Sequence, residues 1–164
     1  MDDQFYLQDS RHHAYVGDGL SFWGLGGSGY VTDLAKAQVF TRDGVCDNRD
    51  TDIHWPKAYV DARARLGVDY QNVSLNEALE QHPDTAEFYI QKPQCWNGNN
   101  LIWLCEGGVF TSDLSKAVVV QRAHTVTWIG KLGQSGGVAW PKPYIDAHSR
   151  WLVERDDVSI QEAL

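Results

Sequence analysis

Two lysine–aspartate pairs are the residues of this chain whose types and spacing could do chemistry. Lys57 and Asp61 stand four residues apart, and Lys142 and Asp146 repeat that spacing. Side chains four apart share one face of a helix, so each pair is either an exposed ion pair or part of a ligand site. An ammonium beside aromatic rings suits a nucleotide, whose base stacks on a ring while its phosphate meets the positive charge. In the functional interpretation, the two lysines line a shared cleft.

Two further motifs could form a nucleotide site or a catalytic site, but for both the sequence favours an ordinary turn. Gly24, Gly26 and Gly29 spell GxGxxG, but a dinucleotide site needs a long helix directly after the glycines. Only a short apolar segment follows, so we expect a plain hairpin turn. Asp47, Asp50 and the neighbouring Asp52 form an acidic loop that could serve hydrolysis or be a solvated turn.

The sequence predicts no metal, no cofactor and no disulfide framework. None of the six histidines stands in a spacing that binds zinc, and the three cysteines form no CxxC pair. The adjacent His12 and His13 beside Arg11 are the histidines that a scattered surface distribution explains least well.

Composition excludes several classes of function. The formal charge is −8, with 14 basic and 22 acidic side chains, which argues against general nucleic-acid binding. No apolar run approaches the roughly 18 residues that a membrane span needs. The first residues are acidic and lack the apolar region of a signal peptide, so the expected location is the cytoplasm.

Five blocks of sequence occur twice in the same order, and this internal repeat is the strongest signal in the chain. The matched blocks are 5–8 with 88–91, 22–23 with 102–103, 31–37 with 111–117, 55–62 with 140–147, and 74–79 with 159–164. Length differences fall between the blocks, where loops vary on a common fold. The repeat predicts one module at 1–82, a linker at 83–87, and a second module at 88–164 with a longer loop at 121–139.

Each module is predicted to be a small antiparallel sheet crossed by one helix. Segments 5–8, 20–23 and 38–41 are strand-like, and Thr32 is expected to cap one helical turn before the third of them. The fold class is therefore α+β, with two tandem copies of the module packed about a pseudo-twofold axis.

The main helix of the module is predicted to begin at the Trp-Pro pair. Proline suits the first helical position, and Trp55, Tyr59, Ala62 and Leu66 then recur at the spacing of an apolar stripe. Ser74 and Ser159, each followed three residues later by glutamate, are typical of capping boxes that open a short terminal helix.

Comparing the two copies suggests where function lies. Residues shared by both copies serve the fold. Residues found in only one copy are freer to specialise; they are concentrated at 10–18, 42–54 and 121–139, and these loops carry Arg11 and Arg49. Trp128, in the longer loop of the second copy, is a loop residue or part of an extra strand. The predicted ligand-binding residues are Arg11, Trp23, Arg49, Lys57, Tyr59, Trp103, Lys142 and Tyr144. Core packing is the alternative for the aromatic members.

The segments FYLQDSR, GYVTDLAKAQVFTRD and RDTDIHWPKAYVDAR resemble a family of small, mostly uncharacterised phage and prophage proteins. The resemblance covers residues 5–65 and returns more weakly over 88–148. It implies a phage accessory protein that acts inside a bacterium, and such proteins often counter host defence. It transfers no catalytic residue.

These observations favour a non-enzymatic protein that sequesters a small anionic ligand such as a signalling nucleotide, with a homo-oligomer as one possible assembly. A protein-binding inhibitor of a host defence protein or nuclease is the first alternative. A metal-dependent hydrolase that uses the acidic loop is the second.

Overall fold

The computed structural model describes residues 4–9, 11, 15–44, 49, 51–132 and 136–163. These residues form short antiparallel strands and short helices, which confirms the predicted α+β class. The first strands are β1 Gln4–Gln8, β2 Tyr15–Val16, β3 Gly19–Leu20, β4 Phe22–Trp23, β5 Tyr30–Val31, β6 Phe40–Thr41, β7 Ile53–Pro56 and β8 Arg65–Gly67. They are followed by β9 Glu87–Asn97, β10 Asn100–Leu104, β11 Phe110–Thr111, β12 Val120–Gln121, β13 Val138–Pro141 and β14 Arg150–Leu152. The helices are α1 Lys57–Asp61, α2 Leu75–Gln81, α3 Thr125–Lys131, α4 Lys142–His148 and α5 Ile160–Ala163.

The chain divides into two compact units that do not follow the order of the sequence. The first unit contains Met1–Arg65 together with Arg150–Leu164, and the second contains Leu66–Ser149. The predicted modules, 1–82 and 88–164, were drawn from the sequence repeat. The contacts divide the chain differently, because the segment after α1 packs within the second unit and the segment after α4 packs within the first.

The first unit is built on a five-stranded sheet in the order β5-β4-β1-β6, with β7 also paired to β1. Tyr6 on β1 lies opposite Trp55 on β7, and both are buried. The buried Gln8, two residues further along the same face, accepts a hydrogen bond of 2.7 Å from the Trp55 indole N–H. Alternation along β1 therefore puts tyrosine and glutamine against the core, and this glutamine satisfies the one polar group of the buried tryptophan.

The sheet of the second unit has the same strand order, β11-β10-β9-β12, with β13 paired to β9. Tyr89 lies opposite Trp140, and the Trp140 indole N–H donates a bond of 2.7 Å to the Gln91 side chain. Each sheet packs one face on a core of aromatic and aliphatic side chains from the tryptophan, from the helix after it and from one further segment. That segment follows α4 in the first unit and α1 in the second, and the two are called the exchanged segments below.

A tyrosine on each of α1 and α4 holds the exchanged segment in place. The Tyr144 hydroxyl accepts a bond of 3.0 Å from the Ser74 backbone N–H and donates one of 2.9 Å to Glu77. In the first unit, the Tyr59 hydroxyl likewise accepts a bond of 2.9 Å from the Ser159 N–H. The tyrosine thus satisfies a backbone donor that opens the next helix, a role that a capping box gives to glutamate.

The predicted capping box at Ser74 is therefore only half present. The Ser74 hydroxyl does accept a bond from the Glu77 N–H, at 3.4 Å. The Glu77 carboxylate, however, contacts Tyr144 and Gln81.

The predicted apolar stripe on the main helix is wrong. Trp55 lies on β7, Leu66 lies on β8, and α1 covers only five residues between them. Pro56 is the residue before the helix and not its first residue, so the helix begins at Lys57. The stripe spacing arose because a strand, a short helix and another strand follow one another closely.

The residue that caps the short 3-10 helix Leu34–Lys36 is Asp33, and not Thr32 as predicted. The Asp33 carboxylate accepts a bond of 3.0 Å from the Ala35 N–H.

The glycine motif at 24–29 forms a turn, as expected. The Gly24 backbone N–H donates a bond to the Gly29 carbonyl, and Gly26 has a φ of 61° that favours glycine.

The predicted match of Trp23 with Trp103 is wrong by one residue. Phe22 pairs with Gln8, and Trp103 pairs with Gln91, so Phe22 and Trp103 occupy the same place in the two sheets. Trp23 then corresponds to Leu104. The glycine turn of the second unit closes between Cys105 and Val109, which is one residue shorter, and this hides the shift in the sequence. A slip of one residue moves a side chain to the other face of a sheet.

Replacing Tyr144 with phenylalanine should destabilise the protein by about 1–2 kcal/mol, because the Ser74 backbone N–H loses its partner and Glu77 loses one of its two. The free energy of unfolding in urea measures the effect. Tyr70→Phe is the control, since it removes the hydroxyl of an exposed tyrosine in the same unit. Equal stability of the two variants would contradict the capping role.

Candidate functional site

The outer face of the first sheet, which points away from the core, carries the candidate site. Strand alternation puts Trp23 on this face, and the adjacent β5 contributes Tyr30. The two rings meet edge to face, with centroids 5.6 Å apart. Tyr30 is 37% exposed and Trp23 is half-buried, so the pair offers ring surface to solvent.

Arg11 lies over Tyr30 and is anchored by a buried acid. Its guanidinium carbon is 4.9 Å from the centre of the Tyr30 ring. The same guanidinium donates two bonds, of 2.8 and 3.1 Å, to the carboxylate of Asp9, which is 1% exposed. These bonds lower the pKa of Asp9 below its ordinary value, so the acid stays charged and fixes the arginine in place.

Arg49 reaches the same two rings from another loop. Its guanidinium donates a bond of 3.1 Å to the Tyr30 hydroxyl and lies 5.8 Å from the centre of the Trp23 ring. Arg11, Trp23, Tyr30 and Arg49 together are called the arginine–aromatic face below. Three of its four members are predicted ligand-binding residues that the fold brings together.

The Asp52 carboxylate holds Trp23 and the backbone of Arg49 in position. One carboxylate oxygen, Oδ2, accepts a bond of 3.0 Å from the Trp23 indole N–H and one of 3.2 Å from the Arg49 backbone N–H. The side chain is 8% exposed, and within the described part of the chain its other oxygen, Oδ1, has no hydrogen-bond partner. A buried carboxylate oxygen without a donor is costly, which makes Asp52 a place where a further donor would be stabilising.

The corresponding face of the second sheet is covered by the protein itself. Leu104, the counterpart of Trp23, is buried with Ile90 in a cluster that Trp128 and Leu132 cover. Trp128 lies on α3, so its interpretation as an extra strand is wrong. The outer faces of the two sheets thus differ. In the second unit this face is covered by an apolar helix, whereas in the first unit it carries two arginines beside two aromatic rings.

The predicted lysine–aspartate ion pairs are confirmed, and each includes a buried tyrosine. Lys142 bonds to Asp146 at 2.6 Å, and the Tyr89 hydroxyl donates a bond of 2.7 Å to the same carboxylate. In the first unit, Lys57 bonds to Asp61, which accepts a bond of 3.0 Å from the Tyr6 hydroxyl. Tyr6 belongs to the hydrophobic core of the first unit and Tyr89 to that of the second.

Protonation is fixed in both networks. The hydrogen bond to aspartate raises the pKa of Lys57 and of Lys142 above the ordinary value. Burial, together with the bond to Asp146, raises the pKa of Tyr89 to about 12. Each lysine therefore stays charged and its carboxylate partner balances that charge, which leaves little net attraction for a phosphate.

The remaining predicted aromatic residues lie in the cores. Trp103 is fully buried, and Tyr144 is 1% exposed, so neither presents ring surface to a ligand. Tyr59 is half-buried, stacks on Trp55 with centroids 6.1 Å apart, and caps the exchanged segment. These positions fit the alternative of core packing.

Sequence reasoning left Tyr30 and Asp9 out of the predicted site. Tyr30 stands directly before the repeated block 31–37, at the place where the second copy has Phe110, and that difference of one hydroxyl was the available signal. His12, His13, Asp47 and Asp50 lie outside the described residues. In the part of the chain that is described, no three histidine, cysteine, aspartate or glutamate side chains cluster closely enough to hold a metal ion.

No protein-family model matches the chain, and neither a curated protein nor a solved structure matches it. Within the described ranges, no helix has both the length and the apolar character to cross a membrane. The chemistry of the arginine–aromatic face is therefore the basis for the function proposed below.

The stability of the protein should fall as the pH rises from about 10 through about 12, and Tyr89→Phe should reduce that fall. A phenol whose pKa is raised on folding contributes stability that is complete below its unfolded pKa, about 10, and is lost as the pH passes the folded value. Melting temperatures across this range measure the effect. Tyr70→Phe serves as the control, and an unchanged pH profile in Tyr89→Phe would contradict the assignment.

Proposed function

We propose that this chain is a non-enzymatic binding protein that sequesters a small anionic ligand carrying an aromatic ring, such as a signalling nucleotide. The ligand binds the arginine–aromatic face of the first unit. One observation carries the proposal: the outer face of one sheet is sealed by α3, whereas the equivalent face of the other holds Arg11 and Arg49 on exposed rings.

The two arginines suit the anionic part of the ligand. A guanidinium has five N–H donors, and Arg11 uses two of them on the Asp9 side chain. The Arg11 side chain is 45% exposed, so donors remain that can reach a phosphate. Anchoring by a buried carboxylate also lowers the entropy lost when the arginine binds, since its position is already set.

Trp23 and Tyr30 suit the ring. Base–aromatic stacking contributes roughly 1–3 kcal/mol per base and needs no sequence-specific hydrogen bonds. The rings are held edge to face, so one of them can stack on a base while the arginines beside it meet the phosphate. This combination attracts an anion locally although the whole chain carries a charge of −8.

We further infer that the chain contains two copies of one module, of which the first specialised in binding. The shared strand order, the paired Gln–Trp hydrogen bonds and the repeated Lys–Asp–Tyr networks support this inference. The resemblance to phage proteins supplies the setting. In that setting, a cytoplasmic phage accessory protein counters bacterial defence by removing a nucleotide signal.

An inhibitor that binds a host protein is the second candidate. Tyr70 and Trp96 in the second unit favour it, because these rings are 43% and 51% exposed and lie 5.8 Å apart. Exposed aromatic residues of this kind are enriched at protein interfaces.

The test is calorimetric titration of the protein with adenosine monophosphate, adenosine and inorganic phosphate. We expect the nucleotide to bind at least about tenfold more tightly than either part alone. Arg11→Ala and Arg49→Ala should each weaken nucleotide binding by about tenfold, the value of one charge-assisted hydrogen bond.

Arg155→Ala is the matched control, because Arg155 is also exposed, bonds to an aspartate and lies 5.6 Å from a tyrosine ring. This variant should bind the nucleotide like the unchanged protein. Equal loss in all three variants would reduce the effect to net charge and refute the proposed site. Co-purification of a host protein without any nucleotide binding would favour the inhibitor, and metal-dependent turnover lost in Asp52→Ala would favour a hydrolase.

A further inference from the structure

The first unit also contains a groove of about 560 Å³ that the arginine–aromatic face does not share. None of the four residues of that face lines it. Its volume falls within the range of roughly 300–1,000 Å³ that is usual for small-molecule sites. The groove is therefore large enough for a molecule with a ring.

The walls of the groove are apolar. Leu34 and Ala37 come from the core beneath it, and Leu25 and Trp151 stand at its sides. Leu25 and Trp151 are each 51% exposed, which is high for large apolar side chains. Covering them with a ligand would remove apolar surface from water, which is favourable.

The matching positions of the second unit are built differently. Glu106 stands where the first unit has Leu25, and Leu66 stands where it has Trp151. Glu106 is exposed, whereas Leu66 packs against the core of its own unit. The fold therefore does not require two exposed apolar side chains at this place.

One end of the groove is polar but balanced in charge. Lys57 and Asp61 both line it and bond to each other, and the Tyr6 hydroxyl donates a hydrogen bond to the same aspartate. The side chains of Lys57 and Asp61 are 30% and 39% exposed, so each retains surface for a ligand. A donor thus stands beside an acceptor. An anion here would be repelled by the carboxylate, and a cation by the ammonium.

We propose that this groove is a second binding site, which takes a small uncharged molecule with a flat apolar ring and an amide-type edge. The ring lies against Trp151 and Leu25. The amide carbonyl accepts a hydrogen bond from Lys57, and the amide N–H donates one to Asp61. The proposal is independent of nucleotide binding, because the two sites have no residue in common.

The test uses three probes that share one ring and differ in charge: naphthamide, naphthoate and naphthylmethylamine. Each is titrated into the isotope-labelled protein, and amide and indole N–H resonances are followed by NMR. We expect naphthamide to shift the resonances of Trp151 and Ala64, and to bind at least about tenfold more tightly than the charged probes.

Trp151→Ala should weaken naphthamide binding by about tenfold or more, whereas Trp96→Ala should leave it unchanged. Trp96 is the matched control because it is equally exposed, at 51%, and lies in the other unit. Ala35→Trp is a second test that spares the core, since Ala35 is exposed and lines the groove, so a large side chain there should block the probe.

Shifts confined to residues outside the groove would overturn the proposal, as would equal binding of the three probes. Unchanged binding in both Trp151→Ala and Ala35→Trp would overturn it as well. Loss of adenosine monophosphate binding in Arg11→Ala with intact naphthamide binding would separate the two sites.

Discussion

Each five-stranded sheet has two faces, and the core of its unit covers only one of them. Because side chains alternate along a strand, the residues that point away from the core must be covered by something else or remain available. In the second unit, α3 brings Trp128 and Leu132 onto that face. In the first unit, Leu7 on the equivalent face is also buried, but the neighbouring strands β4 and β5 carry Trp23 and Tyr30, with Arg11 and Arg49 beside them, and this difference underlies the proposed function.

The tyrosines on α1 and α4 explain how each unit closes its core. The hydroxyl groups of Tyr59 and Tyr144 accept hydrogen bonds from the backbone N–H groups of Ser159 and Ser74, each of which precedes a short helix. The half-buried ring of Tyr59 stacks on Trp55, and the buried ring of Tyr144 stacks on Trp140. Each tyrosine thus connects side-chain packing to helix capping, and a residue that looks like a binding platform in sequence serves stability.

Charged residues show the same difference between the role that the sequence suggests and the role that the structure gives. A lysine in sequence looks like a phosphate ligand, but Lys57 and Lys142 each face an aspartate that balances them. Arg11 also faces an aspartate, yet its planar guanidinium keeps further donors directed to solvent while two are used. The geometry of the donor group, more than its charge, therefore separates the arginine–aromatic face from the lysine networks.

The sequence by itself determined the α+β class, the strand at residues 5–8, the glycine turn and the lysine–aspartate spacing, because these depend on contacts within a few residues. It also predicted Arg11, Trp23 and Arg49 to be ligand-binding residues, a prediction that the structure does not test. Only the tertiary structure decided that these three meet on Tyr30, that Trp103 is buried, and that the segments after α1 and α4 are exchanged. Pairing between distant strands sets those features, and a shift of one residue in a turn reverses which face a side chain occupies.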